Sequence, residues 1–129
     1  MTKKQKLKKC FKYVMKFPYR QHRSRFPYKN KAWASLYAND HFLRKGGDCR
    51  SDAAAFAYLA RALGYKNVYI CLDAKLSHPH HHGWTYVDGR YYDPLFAQAR
   101  SFSRYYGFKH CKYPPRVKKR VAVGYVGDK

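Results

Sequence analysis

The chain has 129 residues, 46% of them hydrophobic, which suits one globular domain with a modest core. Its net charge of +21 comes from 28 Lys and Arg against 7 Asp, and it contains no Glu. No apolar run is long enough for a transmembrane helix and no signal-peptide pattern opens the chain, so a cytoplasmic location is the default expectation and an extracellular or cell-surface location the alternative.

The first predicted element is a helix over residues 1–16. Leu7, Phe11 and Val14 recur at helical spacing among lysines, and Pro18 follows the segment. A basic amphipathic helix of this kind either packs its apolar side on the protein or lies on an anionic membrane surface. We expect the first arrangement, because it is the commoner one.

A loop and a second helix follow. Residues 18–31 are rich in Pro and Arg and predict a loop. Residues 31–43 predict a helix, because apolar side chains again recur at helical spacing. These side chains are Trp33, Leu36, Tyr37 and Phe42.

A cysteine begins the third predicted helix. Gly46-Gly47 predicts a turn, Asp48 is a typical N-cap, and Gly64 follows an alanine-rich segment; together they predict a helix of about 14 residues from Cys49. The positive end of the helix dipole favours the thiolate form of a cysteine in this position. The dipole contributes only about 0.3–1 kcal/mol, and Asp48 opposes it. A nucleophilic Cys49 therefore requires a histidine partner.

The next predicted element is a strand over residues 67–73. Val68, Ile70 and Leu72 alternate along it and predict one apolar face. Cys71 falls on the opposite face, where a buried free thiol is the expected state.

A hairpin then supplies the histidine. Residues 82–87 alternate like a strand, Asp88-Gly89 predicts a two-residue loop, and residues 90–95 predict the returning strand. This register places His82 diagonally from Asp93 on one face, with Cα atoms about 7–8 Å apart. The same face is expected to pack against the helix that begins at Cys49, and it also carries Trp84, Tyr86, Tyr91 and Leu95.

Three motifs in this order resemble the transglutaminase-like superfamily, a branch of the papain-like cysteine enzymes. They are a cysteine opening an alanine-rich helix that ends Leu-Ala-Arg-Ala-Leu-Gly-Tyr, then His-Gly-Trp, then a strand that reaches Asp-Pro. The resemblance covers approximately residues 30–100. It implies an α+β fold in which the catalytic cysteine begins a buried helix packed on a small antiparallel β-sheet. It also implies Cys49 as nucleophile, His82 as general base and Asp93 as the residue that orients the imidazole.

The activity implied by the resemblance is acyl transfer on amide bonds of a protein or peptide substrate, with no cofactor and no metal. Water as acceptor gives a peptidase or amidase and an amine gives glutamine transamidation; the sequence leaves both open. The backbone N–H of Cys49 is the expected oxyanion donor, and Trp33 and Trp84 are candidates for a second donor or for substrate binding. We expect one domain over residues 1–129, with its core at approximately 30–100 and basic extensions at 1–30 and 101–129.

Charge is concentrated outside the segment that carries these motifs. Residues 1–39, 40–93 and 94–129 carry net charges of +12, +1 and +8. The flanks are also rich in aromatic residues, so they form either a solvated basic surface or a contact for an anionic polymer or surface, including nucleic acid bound without sequence readout. A catalytically silent transglutaminase-like fold that acts as a cationic binding module is therefore the alternative to an enzyme.

The histidine run, the four cysteines and the last residues complete the pattern of the chain. The run His78-Pro79-His80-His81-His82 is of a type that binds metals, but its loop position gives no fixed ligand spacing, so no metal site is predicted. The cysteines indicate neither a zinc ribbon nor a disulfide framework, since Cys10, Cys49, Cys71 and Cys111 lie far apart. Residues 121–126 predict a last edge strand.

Overall fold

The computed structural model describes residues 1–121 and places five α-helices and a five-stranded antiparallel β-sheet in that range, an α+β architecture as predicted. The helices are α1 (Lys3–Met15), α2 (Trp33–Arg44), α3 (Cys49–Ala62), α4 (Pro94–Ala99) and α5 (Phe102–Tyr105). The strands are β1 (Val68–Leu72), β2 (Gly83–Val87), β3 (Arg90–Tyr92), β4 (Tyr106–Phe108) and β5 (Val117–Arg120). Their order in the sheet is β4-β3-β2-β1-β5.

Helix α3 lies in the centre of the core. As predicted, it has 14 residues and begins at Cys49, and the Asp48 carboxylate caps it by accepting from the N–H groups of Arg50 and Ser51 at 2.9 and 3.0 Å. Five of its six alanines are fully buried, and their small side chains allow close packing against α2 and the sheet; they are Ala53, Ala54, Ala55, Ala57 and Ala60. The Thr85 hydroxyl donates to the carbonyl oxygen of Ala53 at 2.8 Å, which fixes β2 against α3.

Helix α1 buries the side predicted from its spacing. Leu7, Phe11 and Val14 are all buried in the core. The apolar side of α1 is thus occupied by the protein itself. Helix α2 matches its predicted range closely, and residues 18–31 are irregular as predicted. No helix within residues 1–121 is long and apolar enough to cross a membrane.

The predicted strand and hairpin register are confirmed. Strand β1 lies within the predicted range, and Cys71 is a fully buried free thiol. Val87 pairs with Arg90, and Tyr86 pairs with Tyr91. Asp88 and Gly89 form the loop between them, both at positive φ.

Two parts of the hairpin prediction are wrong. The returning strand ends at Tyr92, because Asp93 and Pro94 are the N-cap and first residue of α4, a combination typical of helix starts. The face with Trp84, Tyr86, Tyr91 and Leu95 was predicted to pack against α3, but the opposite face does so. The smaller residues Gly83 and Thr85 make that approach, since Thr85 bonds α3 and Gly83 lies against Arg50.

Strands β4 and β5 were not predicted. Both are short, and they pair with β3 and β1 at the two edges of the sheet. Strand β5 consists of Val117 followed by three cations, a composition that does not indicate a strand. The predicted last strand at residues 121–126 lies, apart from Val121, outside the described residues.

Candidate active site

The structure brings Cys49, His82 and Asp93 together at one end of β2. His82 Nε2 lies 2.6 Å from Asp93 Oδ2. The Cys49 side chain is close enough to the imidazole to raise its pKa, and the Cys49 Sγ lies 3.8 Å from the carbonyl oxygen of His81. The thiol comes from the first turn of α3, the imidazole from the residue before β2, and the carboxylate from the N-cap of α4. These are the three groups that the sequence predicted to meet.

Gly83 permits the first turn of α3 to approach β2 this closely. A Cβ at this position would lie 3.1 Å from Cγ and 3.2 Å from Cα of Arg50, and 3.3 Å from Leu72 Cδ2. Because Arg50 directly follows Cys49 and Gly83 directly follows His82, a side chain here would push the thiol and the imidazole apart. The glycine therefore sets the spacing of the candidate pair.

The imidazole of His82 is held in an environment that favours its charged form. Burial opposes that form, but the hydrogen bond to Asp93 and the interaction with Cys49 outweigh it and raise the pKa of His82 to about 10. An imidazolium beside a thiol stabilises the thiolate. The site thus favours an imidazolium at His82, next to the Cys49 thiol, at neutral pH.

The Asp93 carboxylate is fully buried, and its two oxygens accept hydrogen bonds from different groups. Oδ1 accepts from the backbone N–H of Phe96 at 3.0 Å and so caps α4. Oδ2 accepts from His82 and from the Tyr113 hydroxyl at 2.8 Å. Burial and the neighbouring Asp93 raise the pKa of Tyr113, which keeps the phenol protonated as a donor.

Two aromatic residues of the site were not assigned to it from the sequence. Phe96 stacks on the His82 ring at a centroid distance of 4.3 Å and an interplanar angle of 15°. Tyr113 contacts both His82 and Trp84 in addition to its bond with Asp93. The Asp-Pro helix start was an available signal for Phe96. Tyr113 lies in the C-terminal flank, and no local pattern indicates that it reaches Asp93.

The two tryptophan candidates occupy different places. Trp84 is fully buried, stacks on His82 at 5.7 Å, and its indole N–H has no hydrogen-bond partner within the described chain. Trp33 is also buried, but its ring contacts Phe26, which in turn contacts His81. Trp84 is therefore in direct contact with the candidate base, and Trp33 is connected to the site through Phe26.

The neighbouring histidine His81 has a different environment from His82. Burial first, and then the charge of Arg50, lower its pKa. It packs against Phe26 at 4.8 Å, and neither ring nitrogen has a partner among residues 1–121. Within the same range, no group of three or more His, Cys, Asp or Glu side chains is arranged to hold a metal ion.

Comparison with known proteins adds no relative. No family model, curated protein or solved structure matches this chain.

A second buried His–Asp pair lies further along α3. His41 Nδ1 and Asp52 Oδ1 are 2.9 Å apart and almost fully buried. Burial raises the pKa of Asp52 to about 6, and the hydrogen bond to His41 offsets this only in part. This pair joins α2 to the helix that carries Cys49.

The raised pKa of His82 predicts a pH dependence of stability. The native protein binds this proton more tightly than the unfolded chain does, since folding raises the pKa from 6.5 to about 10. The stabilisation is fully present below pH 6.5 and is lost as the pH rises to about 10. We expect the free energy of unfolding in urea to fall over this interval, and to fall less in His82→Gln. Lysines and tyrosines titrate in both proteins, so only the difference between the two curves reports on His82. Parallel curves would contradict the assignment of this pH dependence to His82.

Proposed function

We propose that the protein is a cysteine-dependent acyl-transfer enzyme that acts on amide bonds of proteins or peptides, with the papain/transglutaminase-like core that its motifs resemble. The observation that carries the proposal is the hydrogen bond of the His82 imidazole to the buried Asp93 carboxylate, beside a Cys49 thiol that begins α3 and lies 3.8 Å from the His81 carbonyl oxygen. A nucleophile, a base and a group that orients the base, brought together in one site, are the signature of nucleophilic catalysis.

The first half of the proposed reaction forms a thioester. His82 takes the thiol proton, and the Cys49 sulfur attacks the carbonyl carbon of the amide. The negative charge moves to the carbonyl oxygen, which would accept from the backbone N–H of Cys49. The Asp48 cap engages the next two N–H groups and the Asp48 carbonyl that of Asp52, so the N–H of Cys49 is the donor left for this purpose. The intermediate then collapses as His82 protonates the leaving amine.

The second half releases the acyl group. Neutral His82 removes a proton from water or from an amine, which attacks the thioester carbonyl and expels the thiolate. Water gives net hydrolysis, and a primary amine gives transamidation. The contacts at Cys49 select neither acceptor, and we favour hydrolysis because water needs no acceptor site. Asp93 and Tyr113 would keep the ring oriented through both halves.

Selective alkylation tests the proposal. We expect iodoacetamide at pH 6 to label Cys49 at least about tenfold faster than the other three cysteines, because only the thiolate reacts. Those cysteines are internal controls: burial raises the pKa of Cys10 and Cys111, and raises that of Cys71 to about 12. Peptide mass spectrometry with time measures all four rates in one sample.

The matched variant is His82→Ala. Loss of the imidazole should lower the Cys49 rate at pH 6 by at least about tenfold. His80→Ala removes a neighbouring exposed histidine and should leave the rate unchanged. Equal Cys49 rates in wild type and His82→Ala would exclude an activated Cys–His pair, and with it the enzyme.

A cationic binding module is the second candidate, and the unpaired charge favours it. Among the Lys and Arg side chains of residues 1–121, only Arg23 and Arg50 form salt bridges with described carboxylates. Such a surface binds polyanions by releasing their counterions, so binding weakens steeply with salt. This candidate requires salt-sensitive binding to heparin or nucleic acid together with a Cys49 that reacts no faster than Cys10.

A further inference from the structure

A cationic cleft lies next to the candidate active site. It has a volume of about 360 Å³ and shares two of its walls, Phe96 and Tyr113, with the site. Phe96 stacks on His82 at 4.3 Å and has the Arg100 guanidinium over its ring at 4.4 Å. Since one face of a ring accommodates one group at this distance, His82 and Arg100 lie on opposite faces of Phe96. The cleft is therefore one ring away from the candidate base.

The charged side chains that line the cleft are all cationic. Four of its lining residues are Arg100, Arg104, Lys112 and His110, and none is acidic. No carboxylate among residues 1–121 pairs with the two guanidinium groups, which stack on aromatic rings instead. Guanidinium groups bind carboxylates and phosphates through two parallel hydrogen bonds. The cleft is therefore suited to bind an anionic ligand.

We propose that this cleft binds acidic side chains of the peptide substrate and so selects acidic segments for reaction at Cys49. The peptide part of this inference rests on the proposed function, whereas the anionic part rests on the cleft itself. A volume of about 360 Å³ is at the small end of ligand sites and suits a few side chains. The reaction proposed for the adjacent Cys49 takes place on amides, and the backbone of a nucleic acid contains none. A ligand that has both amide bonds and anionic groups is a peptide, and its anionic side chains are Asp and Glu.

Peptide binding to a Cys49→Ser protein tests the cleft without turnover. The probes are two fluorescein-labelled peptides, Gly-Glu-Ala-Glu-Gly-Glu-Gly and its counterpart with Gln in place of every Glu. Fluorescence anisotropy in 150 mM NaCl, where charges beyond about 8 Å are screened, measures the dissociation constants. We expect the acidic peptide to bind at least about tenfold more tightly than the Gln peptide.

Two double variants of equal charge loss locate the binding. Arg100→Gln with Arg104→Gln should weaken the acidic peptide about tenfold. Lys9→Gln with Arg44→Gln removes two exposed cations elsewhere and should change the affinity by less than about twofold. Equal losses in both double variants, or equal binding of the two peptides, would overturn the proposal. So would an oligonucleotide of the same charge that binds as tightly as the acidic peptide and depends equally on the two arginines.

The two proposals fail separately. Binding by the Cys49→Ser protein needs no reactive thiol, so a selective cleft would stand even if Cys49 proved unreactive. Conversely, iodoacetamide is uncharged and small, so Cys49 alkylation should not require Arg100 or Arg104. Wild-type alkylation rates in the cleft double variant would then accompany a loss of acidic-peptide binding.

Discussion

Asp93→Asn is expected to lower the pKa of His82 from about 10 toward its ordinary value of 6.5. Once the carboxylate is gone, burial of the imidazole acts against its charged form, with only the interaction with Cys49 to oppose it. Asparagine is nearly the same size and still accepts from the Phe96 N–H as an N-cap, so α4 should remain in place. The His82 ring signals in a proton–nitrogen correlation spectrum, followed from pH 4 to 11, measure this change directly.

The thiol should respond to the same substitution. Without an imidazolium beside it, Cys49 is expected to react with iodoacetamide at pH 6 at least about tenfold more slowly than in wild type. Asp88→Asn is the matched control, because it removes a carboxylate from the same hairpin and leaves Asn-Gly, a favoured loop pair. If His82 titrated near 10 in both Asn variants, Asp93 would not be the group that holds its proton.

Phe11→Ala is expected to cost about 3–5 kcal/mol of unfolding free energy, as is typical of fully buried phenylalanines. The Phe11 ring is completely buried and contacts four other rings, Phe56 of α3, Tyr92 of β3, Phe102 of α5 and Tyr106 of β4. The variant therefore leaves a cavity where the N-terminal helix meets α3 and the C-terminal segment. Urea unfolding followed by tryptophan fluorescence gives the free energy.

Tyr13→Ala provides the comparison on the same helix. Tyr13 is 39% exposed and contacts Phe17, so its loss should cost about 1 kcal/mol or less. Similar costs for the two variants would mean that α1 is not anchored through Phe11. A large cost at Phe11 alone would show that the basic N-terminal segment is required for a stable core.

The parts predicted correctly from the sequence have local causes. The N-cap at Asp48, the glycine after α3 and the Asp88-Gly89 loop each fix a boundary within a few residues, and the hairpin register follows from the loop. These signals were enough to predict that His82 and Asp93 lie close together. The alanine-rich composition of α3 likewise predicted a buried helix.

The parts predicted wrongly or missed depend on tertiary packing. Alternation along β2 defines two faces but does not say which one meets α3, and the bulk of Trp84 suggested the wrong one. The face of β2 that carries the small residues Gly83 and Thr85 packs against α3, because these residues allow a helix to approach closely. Tyr113 reaches Asp93 from a segment 20 positions further along the chain, so only the folded structure reveals that contact.

The double use of Asp93 gives the site a cooperative character. The same carboxylate begins α4 and orients His82, and α4 in turn carries the Phe96 ring that stacks on His82. If α4 unwinds, the imidazole loses its packing partner, and its orienting group is released from the helix cap at the same moment. The site is therefore either assembled or dismantled as one unit, so a locally opened molecule should carry an ordinary thiol and not a half-active one.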